Sequence, residues 1–260
     1  MRYEEHQPSP VLASAVDCYW TLDGLGAGPA QPVLPDGHGE VVFHLGEPPA
    51  RILDDSRLAR QARGLWIGQM QASVLLQPAH RLSAFGIRFR PQGAWMLTGW
   101  HQAESMGLIL ALDDVWGRTL GEQLGNARST EERVRVADAF LGQRLRGRMS
   151  AAVEAALRQP QQRIEEIAAH AGCSRRQLER LFQEHVGLTP KRWSRIRRMQ
   201  RSLQLRRQHP GWNWARVAVE AGYFDQAHMN SDYLTLAGAP PARLVESLPG
   251  MGEHLARPER

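Results

Sequence analysis

Ile164-Glu165-Glu166-Ile167-Ala168-Ala169-His170-Ala171-Gly172 can be laid over Trp214-Ala215-Arg216-Val217-Ala218-Val219-Glu220-Ala221-Gly222 at an offset of 50 residues, with apolar, Ala and Gly positions in register. Past the glycine the offset is 51: Leu178 meets Met229, Phe182 meets Tyr233, and Gly187-Leu188-Thr189-Pro190 meets Gly238-Ala239-Pro240-Pro241. A chain of 260 residues that keeps small, apolar and Gly-x-x-Pro positions in order twice is using one structural unit twice. Each copy reads as a short amphipathic helix, a turn, and a second helix stopped by Gly-x-x-Pro. That is a helix-turn-helix pattern. Ala168 is the small residue where the two helices touch, Gly172 the turn residue able to take positive φ, and Leu178 the apolar residue that packs the second helix back.

In the first copy Ser174 is placed to cap the second helix. Leu178, Leu181 and Phe182 then fall inward, and Arg175, Arg176, Gln177, Glu179 and Arg180 outward. A polar, Arg-rich face at the N-terminal end of such a helix suits the major groove of DNA. Between the copies, Pro190 to Gln208 has no internal Gly or Pro and predicts one long helix, carrying Lys191, Arg192, Arg195, Arg197, Arg198, Arg201, Arg206 and Arg207. At ~1.5 Å per residue it spans roughly 27 Å, enough to hold two recognition helices about one DNA turn (~34 Å) apart. Lys191 and Arg197 are its expected phosphate contacts. The charge follows the repeat. Residues 147–248 hold 16 Lys+Arg against 9 Asp+Glu, whereas residues 1–146 hold 14 Arg against 16 acidic residues. Double-stranded DNA is the partner this distribution predicts.

The first half alternates apolar runs with turn residues. Val11 to Leu22 precedes a loop expected over Asp23 to Pro29, and Pro35-Asp36-Gly37-His38-Gly39 precedes a strand over Glu40 to Leu45. Gly64 to Gly68, Ser73 to Leu76 and the alternating Leu82 to Phe89 are further strands. From about Gly93 the pattern turns helical: one helix over Asp113 to Leu124, and another capped by Ser129-Thr130-Glu131-Glu132 with Val134, Ala137, Phe140, Leu141 and Leu145 on one stripe. The stripe fits an internal core or a second subunit equally well. The fold class is therefore α+β. A small antiparallel β domain with helices, a cupin-like barrel or half-barrel, occupies 1–146; an all-α double helix-turn-helix domain occupies 147–260, with units at about 163–189 and 213–240 joined by a helix at about 190–208.

With 42% hydrophobic and 23% charged residues, global disorder is excluded. The longest strongly apolar stretch, Leu108 to Leu112, is far short of the ~20 residues a membrane span needs, and Met1-Arg2-Tyr3-Glu4-Glu5 lacks an apolar signal core. A cytoplasmic protein without membrane partners is expected. Cys18 and Cys173 lie in unrelated contexts, so neither a disulfide nor a zinc site is expected. His38, His44 and His80 with Glu40 would offer metal ligands if the β unit were a barrel, but no His-x-His pair appears, and separate histidines with no metal or cofactor are the expectation. Trp20, Trp66, Trp95, Trp100 and Phe85 either line a ligand pocket or fill a core.

Residues from about Arg163 to Leu248 resemble the DNA-binding domain of the AraC-type (AraC/XylS) transcription regulators. The most specific matches are Ala221-Gly222-Tyr223-Phe224-Asp225-Gln226-Ala227-His228-Met229 and Gly238-Ala239-Pro240-Pro241. Leu34-Pro35-Asp36-Gly37 and Gly86-Ile87-Arg88-Phe89-Arg90-Pro91-Gln92-Gly93 look like an uncharacterised N-terminal domain found on a subset of those regulators. The resemblance implies a bacterial, sequence-specific DNA-binding transcription regulator, modulated by a small-molecule effector or a partner, including a homodimer, through the N-terminal domain. It places Arg176, Glu179 and Arg180, and in the second unit Gln226, His228 and Ser231, in base-facing positions. Many members have basic residues around the core aromatic of the second recognition helix, where this chain has Asp232 and Leu234 beside Tyr233. The second unit is therefore expected to hold the DNA backbone through its helix N-terminus, with Asp225 as cap. The rivals are a cupin-like or DNA-modifying enzyme tethered by the same module, although no catalytic constellation is recognisable, and a ligand-independent architectural binder.

Overall fold

The computed structural model describes residues 1–26, 28–159 and 163–247. Residues 160–162 and 248–260, assigned above to the C-terminal domain, and Ala27 of the expected loop lie outside the described residues. The N-terminal half is two antiparallel sheets. One has six strands in the order β1 (Arg2–His6), β2 (Val16–Leu25), β9 (Arg81–Phe89), β4 (Glu40–His44), β7 (Gly64–Ile67), β10 (Ile109–Ala111); the other has four, β3 (Gln31–Val33), β8 (Val74–Gln77), β5 (Ala50–Ile52), β6 (Leu58–Arg60).

Period-two alternation sorts the side chains of the larger sheet. Tyr19, Val41, Phe43, Trp66, Phe85, Ile87 and Phe89 face one side, where they pack under the helices α1 (Gly93–Thr98), α3 (Leu112–Trp116), α4 (Arg118–Asn126) and α5 (Thr130–Gly142). Cys18, Trp20, Leu22, Val42, Leu65, Leu82 and Ala84 face the other, toward Leu76 of the smaller sheet. The central strands are thus covered on both faces, which is why β9 is buried almost throughout. A short helix, α2 (Gln102–Ser105), leads into β10.

Three expectations change. Asp23, Gly24 and Leu25, expected in a loop, are strand, paired with Ser83, Leu82 and Arg81: ladder hydrogen bonds override local turn chemistry. The single helix over Asp113 to Leu124 is two, broken at Gly117. The stripe on α5 is internal. Ala137, Phe140 and Leu141 are buried in the core under the sheet, with Val134 and Leu145 packed against it, so the face offered for a second subunit is already used.

The C-terminal half is helical: α6 (Ala151–Arg158), α7 (Ile164–His170), α8 (Arg175–Val186), α9 (Pro190–Gln208), α10 (Trp214–Glu220), α11 (Gln226–Ala237) and α12 (Pro241–Ser247). The repeat is visible in it. The two helix pairs have seven and twelve residues each, Leu178 and Phe182 occupy the same buried roles as Met229 and Tyr233, and the turns close alike, with Cys173 N–H on the Ala168 carbonyl (3.0 Å) and Tyr223 N–H on that of Ala218 (2.9 Å). The extra residue in the second turn is therefore Phe224, and it is 89% exposed.

Candidate nucleic-acid interface

Each second helix begins on a side-chain cap. Ser174 Oγ accepts from Gln177 N–H (3.2 Å) and Asp225 Oδ1 from His228 N–H (2.7 Å), which satisfies one otherwise unpaired donor per helix and fixes where the first exposed turn starts. Thr189 caps α9 with Pro190 at its first position. On α8 the apolar Leu178, Phe182 and Val186 are buried, leaving Arg175, Arg176, Gln177 and Arg180 exposed and Glu179 half-buried. On α11 the exposed positions are Gln226, Ala227, His228, Ser231, Leu234 and Thr235.

A cleft of about 700 Å³ opens between the two units. Its walls bring together Arg175 and Glu179 of α8, Lys191, Arg195 and Arg198 of α9, and His228 and Ser231 of α11. Five of the residues expected from sequence to meet DNA thus share one concavity, and Ser174, Arg176, Gln177, Arg180, Asp225 and Gln226 lie on the exposed helix ends beside it. Arg175 is held by Glu179 (Nε to Oε1, 2.9 Å) and by Glu165 (Nη1 to Oε1, 2.7 Å), and these carboxylates raise its pKa. It positions α8 against α7 as much as it offers a charge to a ligand. Arg197 departs from its expected place: it lies in a second cleft, with Arg90 and Gln92 from the N-terminal half and Arg148 and Trp193, away from Lys191. At about 100° of rotation per residue, positions six apart on α9 point roughly 240° apart around its axis, so Lys191 and Arg197 need not share a partner.

Sequence reasoning missed the reason for Asp232. Its carboxylate is buried and accepts from Arg195 Nε (2.8 Å) and Arg198 Nη2 (3.3 Å), locking α11 to α9. The acid that looks out of place for a groove-facing position lies in the wall of the cleft with its charge engaged by two arginines of α9. Phe224, exposed just ahead of α11, was also missed; the signal was its place as the inserted residue of the second turn.

The two halves are clasped together by specific contacts. Gly37, at φ +88°, lies so close to the Trp193 indole that an added Cβ would sit 2.1 Å from Cζ3, a position only glycine can occupy. Gln200 Nε2 donates to the Pro35 carbonyl (2.8 Å), Arg192 Nη2 to that of Gln71 (3.0 Å), and Ser73 N–H to that of Leu236 (2.8 Å). Trp95 of α1 stacks on the buried His185 of α8 with ring centroids 3.8 Å apart. Leu34 belongs to the same core as the helix-turn-helix units. Of the aromatics that might have lined a pocket, Trp66 and Phe85 are core under the helices, Trp95 is in this clasp, Trp100 is partly exposed, and Trp20 lines a cavity between the sheets. His38, Glu40 and His44 reach that cavity without His80, and among the described residues no group of three or more His, Cys, Asp or Glu is arranged to hold a metal ion.

Known families match both halves of this arrangement. Residues 167–247 match a family described as a helix-turn-helix domain, and residues 4–107 a domain of unknown function (DUF6597). A helix-turn-helix domain is thus shown for residues 167–247, and that family match extends no further along the chain. The HTH-type transcriptional regulator GbdR of Pseudomonas aeruginosa is 35% identical over 91 residues, which are 35% of this chain and 24% of GbdR, so the match spans about a quarter of that relative's length. ToxT from Vibrio cholerae shares the fold: one structure covers 96% of this chain and 100% of its own at 10% identity with a TM-score of 0.52, and another, of unsaturated fatty acid bound wild-type ToxT, covers 96% and 99% at 11% identity with a TM-score of 0.50. Among the described residues no helix is long and apolar enough to cross a membrane.

Proposed function

We propose that the chain is a sequence-specific DNA-binding transcription regulator that works beside the chromosome in the cytoplasm, with residues 147–260 binding operator DNA and residues 1–146 controlling them in response to an effector. The observation that carries the reading is the cleft where Arg175, Glu179, Lys191, His228 and Ser231 converge between two capped recognition helices. Arg176, Gln177 and Arg180 read base edges in this account, Lys191 neutralises phosphate, and Ser174, Asp225, Gln226, His228 and Ser231 hold the DNA through the helix ends. Arg195 and Arg198 set the angle of the second unit through Asp232.

The clasp favours control by a bound effector over a purely architectural role, because it ties α8, α9 and α11 to the N-terminal half at several separate points. ToxT, of the same fold, has been seen with an unsaturated fatty acid bound, which supports a small-molecule effector for this chain; we assign its control to the N-terminal half. The enzyme alternative is weakened by how the cavity's polar groups are spent: Glu40 pairs with Arg88 at 2.8 Å, and His38 Nδ1 with the Phe89 carbonyl at 2.6 Å. The test is selection of bound duplexes from random DNA by the full chain. The expected result is a recurrent site bound with steep salt dependence; binding without any sequence preference would contradict it.

A further inference from the structure

The cavity between the two sheets has a polarity that defines its occupant. It is lined mostly by apolar side chains, among them Trp20, Leu34, Val42, Leu65, Ile67 and Leu76. Its charged lining residues, Asp36 and Glu40, are engaged by the buried Arg88, whose Nε lies 3.8 Å from Asp36 Oδ2 and 2.8 Å from Glu40 Oε1. Two carboxylates on one guanidinium leave the site with no spare positive charge, and among the described residues no Lys or Arg lines it. Two polar atoms on its walls, Trp20 Nε1 and His44 Nε2, are buried without a hydrogen-bond partner, in side chains 1% and 5% exposed. A buried polar atom left unpaired is costly, and two at one cavity, the indole donor and an imidazole nitrogen, mark a place that a ligand completes. Burial also pushes the His44 pKa down to about 4, so the ring is neutral near pH 7. Gly86 lies against the indole so closely that an added Cβ would be 1.9 Å from Trp20 Cε2, which fixes where the ring sits.

We propose that this cavity binds a neutral, compact, largely apolar molecule carrying a hydrogen-bond acceptor, with Trp20 Nε1 donating to that acceptor and His44 Nε2 engaging a neighbouring polar group. The proposal rests on the reading of the N-terminal half as the effector domain and names the class of effector. It excludes organic anions, which would meet Asp36 and Glu40 with no free cation. The cavity holds about 70 Å³, roughly half of the ~150 Å³ in which a protein cavity accommodates benzene, so an occupant of five or six heavy atoms displaces part of the wall. Leu34, Asp36 and His38 form a wall built of loop rather than strand, and the same loop carries the Pro35 carbonyl and Gly37 that hold Gln200 and Trp193 of α9. An occupant therefore presses on the element that grips the linker helix.

The test uses the full chain labelled with ¹⁵N and follows the Trp20 indole N–H resonance, assigned by Trp20→Phe, while isobutanol, isobutyramide and isobutyrate are titrated separately. The two neutral probes are expected to shift that resonance saturably, isobutyrate to leave it unmoved, and His44→Leu to weaken isobutyramide roughly 3- to 10-fold, the loss of one net hydrogen bond. If His44→Leu does not fold, His44→Phe, which keeps the ring shape without a hydrogen-bonding nitrogen, replaces it with the same expected direction. Equal binding of isobutyrate, or no response to either neutral probe up to its solubility, overturns the proposal. DNA binding by the unliganded chain is measured apart: its failure would sink the regulator reading and leave the cavity result standing.

Discussion

Arg176 and Arg180 stand one helical turn apart on the open side of α8, and Arg180 is only loosely held by Glu184 at 3.4 Å. Each replaced by Ala is expected to cost ~1–3 kcal/mol on the selected DNA and to relax preference at particular base pairs, measured by competition among single-base variants of the site. Unchanged affinity in both variants would remove α8 from the groove. Asp232→Asn tests a different role. It leaves Arg195 and Arg198 without their carboxylate, so unfolding in urea should show about 1–3 kcal/mol less stability, the arginines being partly exposed. His44 supplies a pH dependence. Unfolded, the imidazole takes a proton near its ordinary 6.5; folded, burial delays this to about 4, so the unfolded state binds more protons between those values. Stability from this group is full above pH 6.5 and falls as pH drops toward 4, by ~2–3 kcal/mol, and His44→Leu should flatten the curve over that window. At this scale the caps were legible, because Ser174 and Asp225 act on backbone within their own turn. Asp232 was legible only as an oddity, since its partners lie on another helix.

The helices whose apolar residues recur at 3.6-residue spacing and whose ends carry Ser, Asp or Pro were readable as elements, as were the longer strands with alternation, β4 and β9. The strands β3, β5, β6 and β10, of three residues each, carry too few positions for a pattern and exist because a neighbour's ladder recruits them. The α5 stripe showed that an apolar face exists without telling what covers it. The clasp on α9 was hidden for the same reason: Trp193 falls inside the pattern of the linker helix and Pro35-Asp36-Gly37 reads as a turn, but their meeting is a tertiary fact. Gly37→Ala should expose that meeting. The new methyl collides with the indole at a backbone angle unfavourable to any other residue, so a fall in melting temperature equivalent to about 1–3 kcal/mol is expected, with a blue-edge change in tryptophan fluorescence as Trp193 shifts. A melting temperature equal to the parent's would mean that the loop does not grip the linker.

For the whole molecule, the basic excess, the two capped recognition helices and the cleft all fall in one half, while the other half holds the cavity and grips all three helices that position the cleft. The assignment of DNA binding to 147–260 predicts that this fragment, with α6 packed into its core through Ala152, Val153 and Ala156, folds and binds DNA by itself, detected by circular dichroism and salt-sensitive anisotropy. Its affinity should differ from that of the full chain, because the clasp is gone. The claim on which everything else depends is that two units of one chain engage successive turns of the same duplex face. Ethylation interference at the phosphates of the selected site, run beside methylation interference at guanine N7, measures this directly. The account predicts two clusters of interfering phosphates centred about one helical turn (~10 base pairs) apart, with interfering guanines in the α8 cluster that are lost in Arg176→Ala. A single cluster of phosphates, or guanine interference unaffected by that substitution, would contradict it.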